Sequence, residues 1–426
     1  MKLKLHWQIL IAMALGAVAG VIFQSIYGSE PSGTLFTVFS SLGTIFIRLL
    51  RMIIVPLIFT SIVSGVSNIG EGKKLGRIGL KTMTYYIVTS MLAILVGLAL
   101  SNLLKPGVGV NIPVNQGFDP GDLKTPGSLM DILIRMIPLN PVHAASSGDM
   151  LGVIFFSIIL GVGISRLKPE NGNLIKSIFN SFFELMMKVT EIIIKLAPIG
   201  VFGLMTKVVA NTGFDMIKAV GKYMFTIAAG LSIHLLITLP LIFFLLTRIS
   251  PVKHYKAMAS ALATAFSTSS SSATLPLTMR NVERNAGVSN RISSFVLPLG
   301  ATINMDGTAL YECAGVIFIS QVMGLELTLV QQFVVVITAL LASIGAAGIP
   351  SAGLVVIFIV TQAIGFKDAD VAIIIGTMLA VDRPLDMFRT MINVFSDSIG
   401  TVVIAKSEGE KDLYKGGLFL EDPGDN

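Results

Sequence analysis

The sequence predicts an all-α integral membrane protein that crosses the bilayer many times and carries two re-entrant helical hairpins. Three observations lead there. Of 426 residues 53% are hydrophobic and 13% charged, with a mean hydropathy of +0.81, against about 25% charged in ordinary soluble domains. Apolar runs recur that reach or exceed the roughly 20 residues a spanning helix needs. Two further apolar stretches are each interrupted by a Ser- or Gly-rich tip and flanked by polar residues on one side of the bilayer.

This composition excludes a soluble enzyme and places the chemistry inside the membrane. Cys313 is the sole cysteine, so neither an intrachain disulfide nor a thiolate metal site can form. A net charge of +6 is ordinary for a protein whose basic residues gather on the cytoplasmic side and does not point to nucleic acid. Near the N-terminus Ala17-Val-Ala19 imitates a signal-peptide cleavage site. The apolar run continues to about Tyr27 and further spans follow, so this segment is expected to remain as the first span.

Apolar runs and their polar interruptions give spans near 8–27, 36–68, 79–104, 128–165, 172–212 and 218–247. The second, fourth and fifth exceed the need of a perpendicular helix and predict tilted or broken helices. Pro56, Pro138, Pro141 and Pro198 are the expected break points. With the N-terminus inside, sixteen Lys and Arg, among them Lys73, Arg77, Lys81, Arg280, Arg284 and Lys406, fall on the cytoplasmic side. Only Lys105, Lys124, Lys207, Lys218 and Lys367 fall outside. That bias predicts both termini in the cytoplasm and an even number of crossings.

The stretch 252–406 is organised differently. Apolar pieces at 257–266 and 274–279 are too short to span and surround the tip Ser267–Ser272, with cationic residues on both flanks. They read as a hairpin entering from the cytoplasm. Residues 331–341 and 354–362 repeat the form around a tip running from Ser343 to Pro350, entering from outside. Irregular backbone at membrane depth is tolerated where it is buried or lines a cavity. A pair of interrupted segments at corresponding places marks the binding site of inverted-repeat transporters.

From Val371 to Ile404 the polar residues Asp382, Asp386, Arg389, Asn393 and Asp397 stand at offsets 0, 4, 7, 11 and 15, within about 80° of one another on a helix. Exposure of each charge to lipid would cost roughly 2.5–3.5 kcal/mol or more, so the stripe must face protein, water or ligand. With Arg383 and Arg389 against three acids, its region is one unit negative and invites cations. Upstream, Asn304-Met-Asp306-Gly307-Thr308 is a poor helix interior. Unwinding there frees carbonyls that join Asn304 and Asp306 in an oxygen cage suited to an alkali cation. The hairpin tips, near Ser271 and Ser272 in one and Gly348 and Ile349 in the other, supply helix N-termini that attract carboxylates. A cationic side chain, an acidic partner and amide-rich tips describe a receptor for an acidic α-amino acid. Glu312, on an apolar segment, is a proton-carrier candidate or a helix contact, and His234 a proton relay or a packing residue.

Four segments in order, Ser269-Ser-Ser-Ser-Ala-Thr-Leu-Pro276, Asn304-Met-Asp-Gly-Thr308, Gly345-Ala-Ala-Gly-Ile-Pro350 and Asp386-Met-Phe-Arg-Thr-Met-Ile-Asn393, resemble the glutamate transporter (dicarboxylate/amino acid:cation symporter) family. The resemblance runs from about residue 8 to about 408. It implies eight transmembrane helices, two re-entrant hairpins, inverted repeats and a homotrimer of the elevator type. Residues 1–78 and 105–216 would form the trimerisation scaffold, 79–104 and 217–408 the mobile transport domain, and 409–426 a polar tail.

By the same resemblance Arg389 and Thr308 would take the substrate's side-chain carboxylate and Asp386 its amine. Asn393, Thr390 and hairpin amides near Ser271 and Ile349 would take its α-carboxylate. One sodium would be held by Gly300, Asn304, Asn393 and Asp397. A second would use Thr302 with second-hairpin carbonyls of Ser343, Ile344 and Ala346, and a third Tyr86, Thr89, Ser90, Asn304 and Asp306. Glu312 stands where animal relatives carry a proton. No organic cofactor is implied. At the positions where family members carry an extra basic residue this sequence has Ser269 and Met387; Arg383, one turn earlier, is the candidate substitute, and potassium counter-transport, which goes with the missing arginine, is not implied.

These residues predict a sodium-coupled importer of L-aspartate or L-glutamate in a prokaryotic cytoplasmic membrane. The rival cargo is a C4-dicarboxylate, which would leave Asp386 facing a substrate with no amine.

Overall fold

The computed structural model describes residues 5–28, 31–67, 73–109, 134, 137–147, 149–212, 215–344, 352–366 and 368–414. Among them all long elements are helical. Helix α1 (Leu5–Tyr27) is apolar all round, yet it sorts its residues by size. Ile11, Leu15, Val18, Ile22 and Ile26 lie exposed along one stripe, whereas Gly16 and Gly20 press on α7 (Ala197–Thr212). A Cβ on Gly16 would come within 2.6 Å of the Phe202 carbonyl oxygen. In lipid the apolar effect gives no preference between helices, so close approach of small residues supplies the packing attraction.

Helix α2 (Thr34–Ser67) runs unbroken through Pro56, contrary to the break expected there. Thr60 Oγ1 donates to the Pro56 carbonyl at 2.7 Å, and neighbouring helices enclose this part of α2. The Thr60 bond is additional to the ladder, and it is the enclosure by neighbouring helices that makes an intramembrane proline tolerable. The other three prolines do punctuate the chain. Residues 137–140 are irregular, and Pro141 opens α4 (Pro141–Ser147), where Asn140 Oδ1 accepts from the amides of Val142 and His143. After α5 (Met150–Ser165), α6 (Pro169–Ile194) ends in a turn at 195–196, and Pro198 occupies the first turn of α7, where its missing N–H costs nothing. Helix α2 packs on α5, α6 and α7, and α1 on α7.

Helix α3 (Lys73–Leu104) runs as one piece and packs on α13 (Asp306–Val322). Helix α8 (Asp215–Ile233) continues through a π-turn, His234–Thr238, into α9 (Leu239–Thr247). By length and apolarity Arg77–Leu104 and Lys218–Thr247 each suffice to cross a membrane, and shorter apolar helices accompany them.

The first hairpin is α10 (Pro251–Thr268) and α11 (Ser271–Arg284). Its tip is only Ser269–Ser270, shorter than the six-residue tip expected from the polar run. Ser269 reverses the chain at φ +50°, and Ser270 caps α11 by accepting from the Ala273 amide. The serines on either side therefore serve as helix ends. Helix α12 (Asn290–Ile303) stops at Asn304–Met305 and α13 begins at Asp306, the unwinding expected from the Asn-x-Asp-Gly-Thr segment. The second pair is α14 (Leu329–Ile344) and α15 (Ala352–Ala363). Its expected tip, including Gly345, Ala346, Gly348, Ile349 and Pro350, lies outside the described residues. Helix α16 (Asp368–Ser407), 40 residues long, then packs against both hairpins, α3, α12 and α13.

Beyond α16 the chain folds back over the base of the first hairpin. Glu408 pairs with Arg77 and Lys81 of α3, Glu410 accepts from the Ser289 amide, and the Tyr414 amide donates to the Ala286 carbonyl. The ring of His254 on α10 lies between the hydroxyls of Tyr414 and Ser398.

Candidate substrate and cation site

The polar stripe of α16 faces the break between α12 and α13. Asp382, Asp386, Arg389, Thr390, Asn393 and Asp397 are all buried. Asn393 Oδ1 accepts from the Gly307 amide at 2.8 Å, and its Nδ2 approaches Thr308 Oγ1 at 3.3 Å. The unwound segment thus exchanges lost helix hydrogen bonds for a side chain of α16. Gly307 is required there, since a Cβ would lie 2.9 Å from the Arg389 backbone.

Arg389 is the centre of the substrate half. Its Nη2 lies 3.0 Å from both Asp382 Oδ1 and Asp386 Oδ1, and its guanidinium carbon 3.8 Å from the ring centroid of Tyr311. Nε and Nη1, although buried, have no hydrogen-bond partner. Gly353 of α15 leaves the room beside Nη1, where a Cβ would stand at 2.4 Å. Buried donors are ordinarily satisfied, so these two nitrogens wait for an acceptor. Thr390 Oγ1 donates to the Asp386 carbonyl, and Arg383 Nη1 reaches Asp386 Oδ2 at 3.4 Å. Arg383 thereby delivers positive charge next to the site. Ser271 is buried in the first turn of α11 but makes no direct hydrogen bond to Thr390 or Asn393. Ile349 lies outside the described residues. Glu312 is buried on α13 with neither carboxyl oxygen bonded.

One turn deeper along α16, oxygen atoms replace cations. Ser90 Oγ donates to Asp306 Oδ1 at 2.6 Å, with Thr89 Oγ1 at 3.3 Å from the same oxygen and 3.5 Å from Asn304 Oδ1. Asn304 Nδ2 donates to Asp397 Oδ1 at 2.9 Å. Tyr86 Oη donates to the Val296 carbonyl at 2.9 Å and flanks Gly300, as does Asp397 Oδ1. Four of the α3 and α12–α13 ligands expected for the third cation, Thr89, Ser90, Asn304 and Asp306, are therefore in mutual contact, and Asp397 joins Asn304 for the first. For the second, the hydroxyls of Thr302 and Ser343 donate to carbonyls of their own helices. Ile344 closes α14, and Ala346 lies outside the described residues. One carboxylate in each of the first and third clusters and none in the second, with hydroxyl, amide and main-chain oxygen around them, is a hard, weakly charged donor set that fits a monovalent cation better than calcium's carboxylate-rich sites.

Three residues of this arrangement have no role predicted from the sequence, and a fourth, His234, is expected there only as a proton relay or a packing residue. Asp382 belonged to the stripe but had no partner named; it holds Arg389. Ser396 donates to Asp306 Oδ2 at 2.7 Å and accepts from Asn304 Nδ2 at 3.0 Å. Its offset of 14 from Asp382 places it at the stripe's edge, a signal that helical geometry offers. Tyr311 follows Thr308 by three and so shares its face. His234 sits 3.2 Å from Asp306 Oδ2, a long-range contact that spacing does not encode.

A model of the sodium:dicarboxylate symporter family matches residues 5–407. A relative from mouse, excitatory amino acid transporter 3, is 36% identical over 95% of this chain and 86% of its own length. The proton/glutamate-aspartate symporter of Escherichia coli (strain K12) is 33% identical, covering 97% of this chain and 95% of the relative. The proton/sodium-glutamate symport protein of Geobacillus stearothermophilus is also 33% identical, with 98% of each chain aligned.

Proposed function

The chain belongs to the sodium:dicarboxylate symporter family, and from that premise we propose that it is a secondary active transporter taking up L-aspartate, L-glutamate or both, driven by sodium. The observation that carries the substrate assignment is Arg389. Its buried Nε and Nη1 lack acceptors while Nη2 is already shared by Asp382 and Asp386. A side-chain carboxylate supplies the missing acceptor, with Thr308 beside it. The arriving amine then goes to Asp386, whose Oδ1 meets Arg389 and whose Oδ2 meets Arg383, so one ligand brings an acceptor to the guanidinium and a donor to the carboxylate. A C4-dicarboxylate brings only the first.

Asp306 and Asp397, with the oxygen sets around them, are the sodium sites of this reading, and Thr302 with carbonyls of Ser343, Ile344 and Ala346 a further one. Cation binding neutralises buried carboxylates, which favours the conformation that encloses the substrate. Glu312 carries a proton if protons are coupled as well. The full reading is an elevator: eight transmembrane helices and two re-entrant hairpins, a homotrimeric scaffold of residues 1–78 and 105–216, and a transport domain of 79–104 and 217–408 in a prokaryotic cytoplasmic membrane, both termini inside.

The test is uptake of labelled L-aspartate into proteoliposomes under an inward sodium gradient, or under a proton gradient without sodium. Uptake with sodium is the expected outcome. Uptake with protons alone moves coupling to Glu312, and no uptake in either case, with succinate accumulated instead, overturns the substrate.

A further inference from the structure

The π-turn at His234–Thr238 sits in the middle of an otherwise apolar helix, and its cause is local. The Leu239 amide bonds the His234 carbonyl, five residues back, instead of Leu235. Pro240, next in sequence, has no N–H to offer. The Leu235 carbonyl is thereby left without a helical donor, and the Tyr255 hydroxyl of the first hairpin donates to it. Single-turn π-bulges of this kind collect at functional sites. This one aims the His234 ring, fully buried, at the Asp306 carboxylate.

Asp306 divides its two oxygens between different duties. Oδ1 faces Ser90 and Thr89, the hydroxyls of the cation cage. Oδ2 receives Ser396 Oγ at 2.7 Å and His234 Nε2 at 3.2 Å. Since a carboxylate oxygen only accepts, Nε2 carries the hydrogen and donates. Two donors on Oδ2 fix the carboxylate plane and leave Oδ1 as the oxygen turned to a cation.

We propose that His234 is a positioning residue for cation binding: held by the Pro240-induced π-turn, it orients Asp306 through Oδ2 without touching ion or substrate. The proposal rests on the reading of Asp306 as a sodium ligand. Partners of this kind, one bond behind the ligand, typically cost 10- to 100-fold in metal affinity when lost.

The experiment measures uptake of labelled L-aspartate in proteoliposomes as a function of sodium, and the aspartate KM at saturating sodium. His234→Phe keeps the ring's bulk without the donor, and His234→Asn keeps a donor too short to reach Oδ2. Both are expected to raise the sodium half-saturation about tenfold or more with the aspartate KM at saturating sodium unchanged. His234→Gln, with an N–H at similar reach, is expected to return it to near the wild-type value. Pro240→Ala restores the missing N–H away from the site and is expected to shift sodium dependence in the same direction as His234→Phe. Where His234→Phe does not assemble, the Asn, Gln and Pro240 variants decide. Wild-type sodium dependence retained by the Phe and Asn variants, or equal shifts in sodium half-saturation and aspartate KM, overturns the positioning role alone. A wild-type protein indifferent to sodium overturns the sodium reading and this proposal with it.

Discussion

Arg389 Nη2 lies 3.0 Å from Asp386 Oδ1, three residues earlier on the same helix turn. The pair is buried and belongs to a network, since Asp382 also holds Arg389 and Arg383 also meets Asp386, so removing Arg389 leaves two buried carboxylates short of their shared cation. Arg389→Cys should therefore lower affinity for acidic substrates by about 10- to 100-fold, in keeping with a charge-assisted hydrogen bond worth about 1.5–3 kcal/mol. Neutral amino acids of similar size should become the better substrates. Competition against labelled aspartate in proteoliposomes reads both effects, and retained preference for aspartate contradicts the role of Arg389.

Asp386→Ser tests the other end. Without the carboxylate the amine loses its partner and succinate loses its repulsion, so discrimination between aspartate and succinate should narrow by about tenfold or more. Inhibition constants for the two, measured side by side on wild type and variant, give the ratio directly.

The stripe on α16 was legible because helical periodicity gathers residues that sequence separates, and the break at Asn304–Met305 because Asn-x-Asp-Gly is a poor helix interior. The partner geometry was not. Nothing in the spacing reveals that Asp382 holds Arg389 or that Ser396 bridges Asn304 and Asp306, since those contacts depend on how α16 rotates against α13. Pro56 misled for a related reason. Proline marks a local loss of one hydrogen bond, but whether the helix breaks depends on the helices packed around it. The first hairpin was recognised by its serines, although its true tip is two residues because the rest cap or extend helices.

Gly300→Ala probes the cation half without changing any charge. The added Cβ would lie 2.5 Å from Asp397 Oδ1 and 2.5 Å from Tyr86 Oη, with no flexible arm to yield at the glycine itself. Overpacking costs about 1–3 kcal/mol, and here it falls on a carboxylate that Asn304 holds in place. The expected result is a sodium half-saturation raised by about tenfold at unchanged expression and thermal stability within a few degrees. Asp397→Asn should do the same and, by removing a charge, weaken sodium dependence further. A sodium curve that Gly300→Ala leaves in place separates Asp397 from the cation.

Glu408 joins the end of α16 to α3 outside the membrane-spanning helices. The hydrogen bond from Lys81, 2.6 Å from Oε1, and that from Arg77 hold its carboxyl below the ordinary carboxylate range. A carboxyl whose value is lowered by folding contributes stability that is complete above its unfolded value, about 4.3, and fades as the pH falls through the lowered one. Because Arg77 is largely exposed, each ion pair is worth only about 0.2–1 kcal/mol. Glu408→Gln should lower Tm by a few degrees at pH 7 in detergent, and the gap between variant and wild type should narrow progressively as both are melted at pH values falling below the ordinary carboxylate range. High salt at pH 7 should narrow the same gap, since the pairs are screened. A gap that persists at low pH would mean that the side chain acts through shape alone, and that the clip over the first hairpin is held by Glu410 and Tyr414.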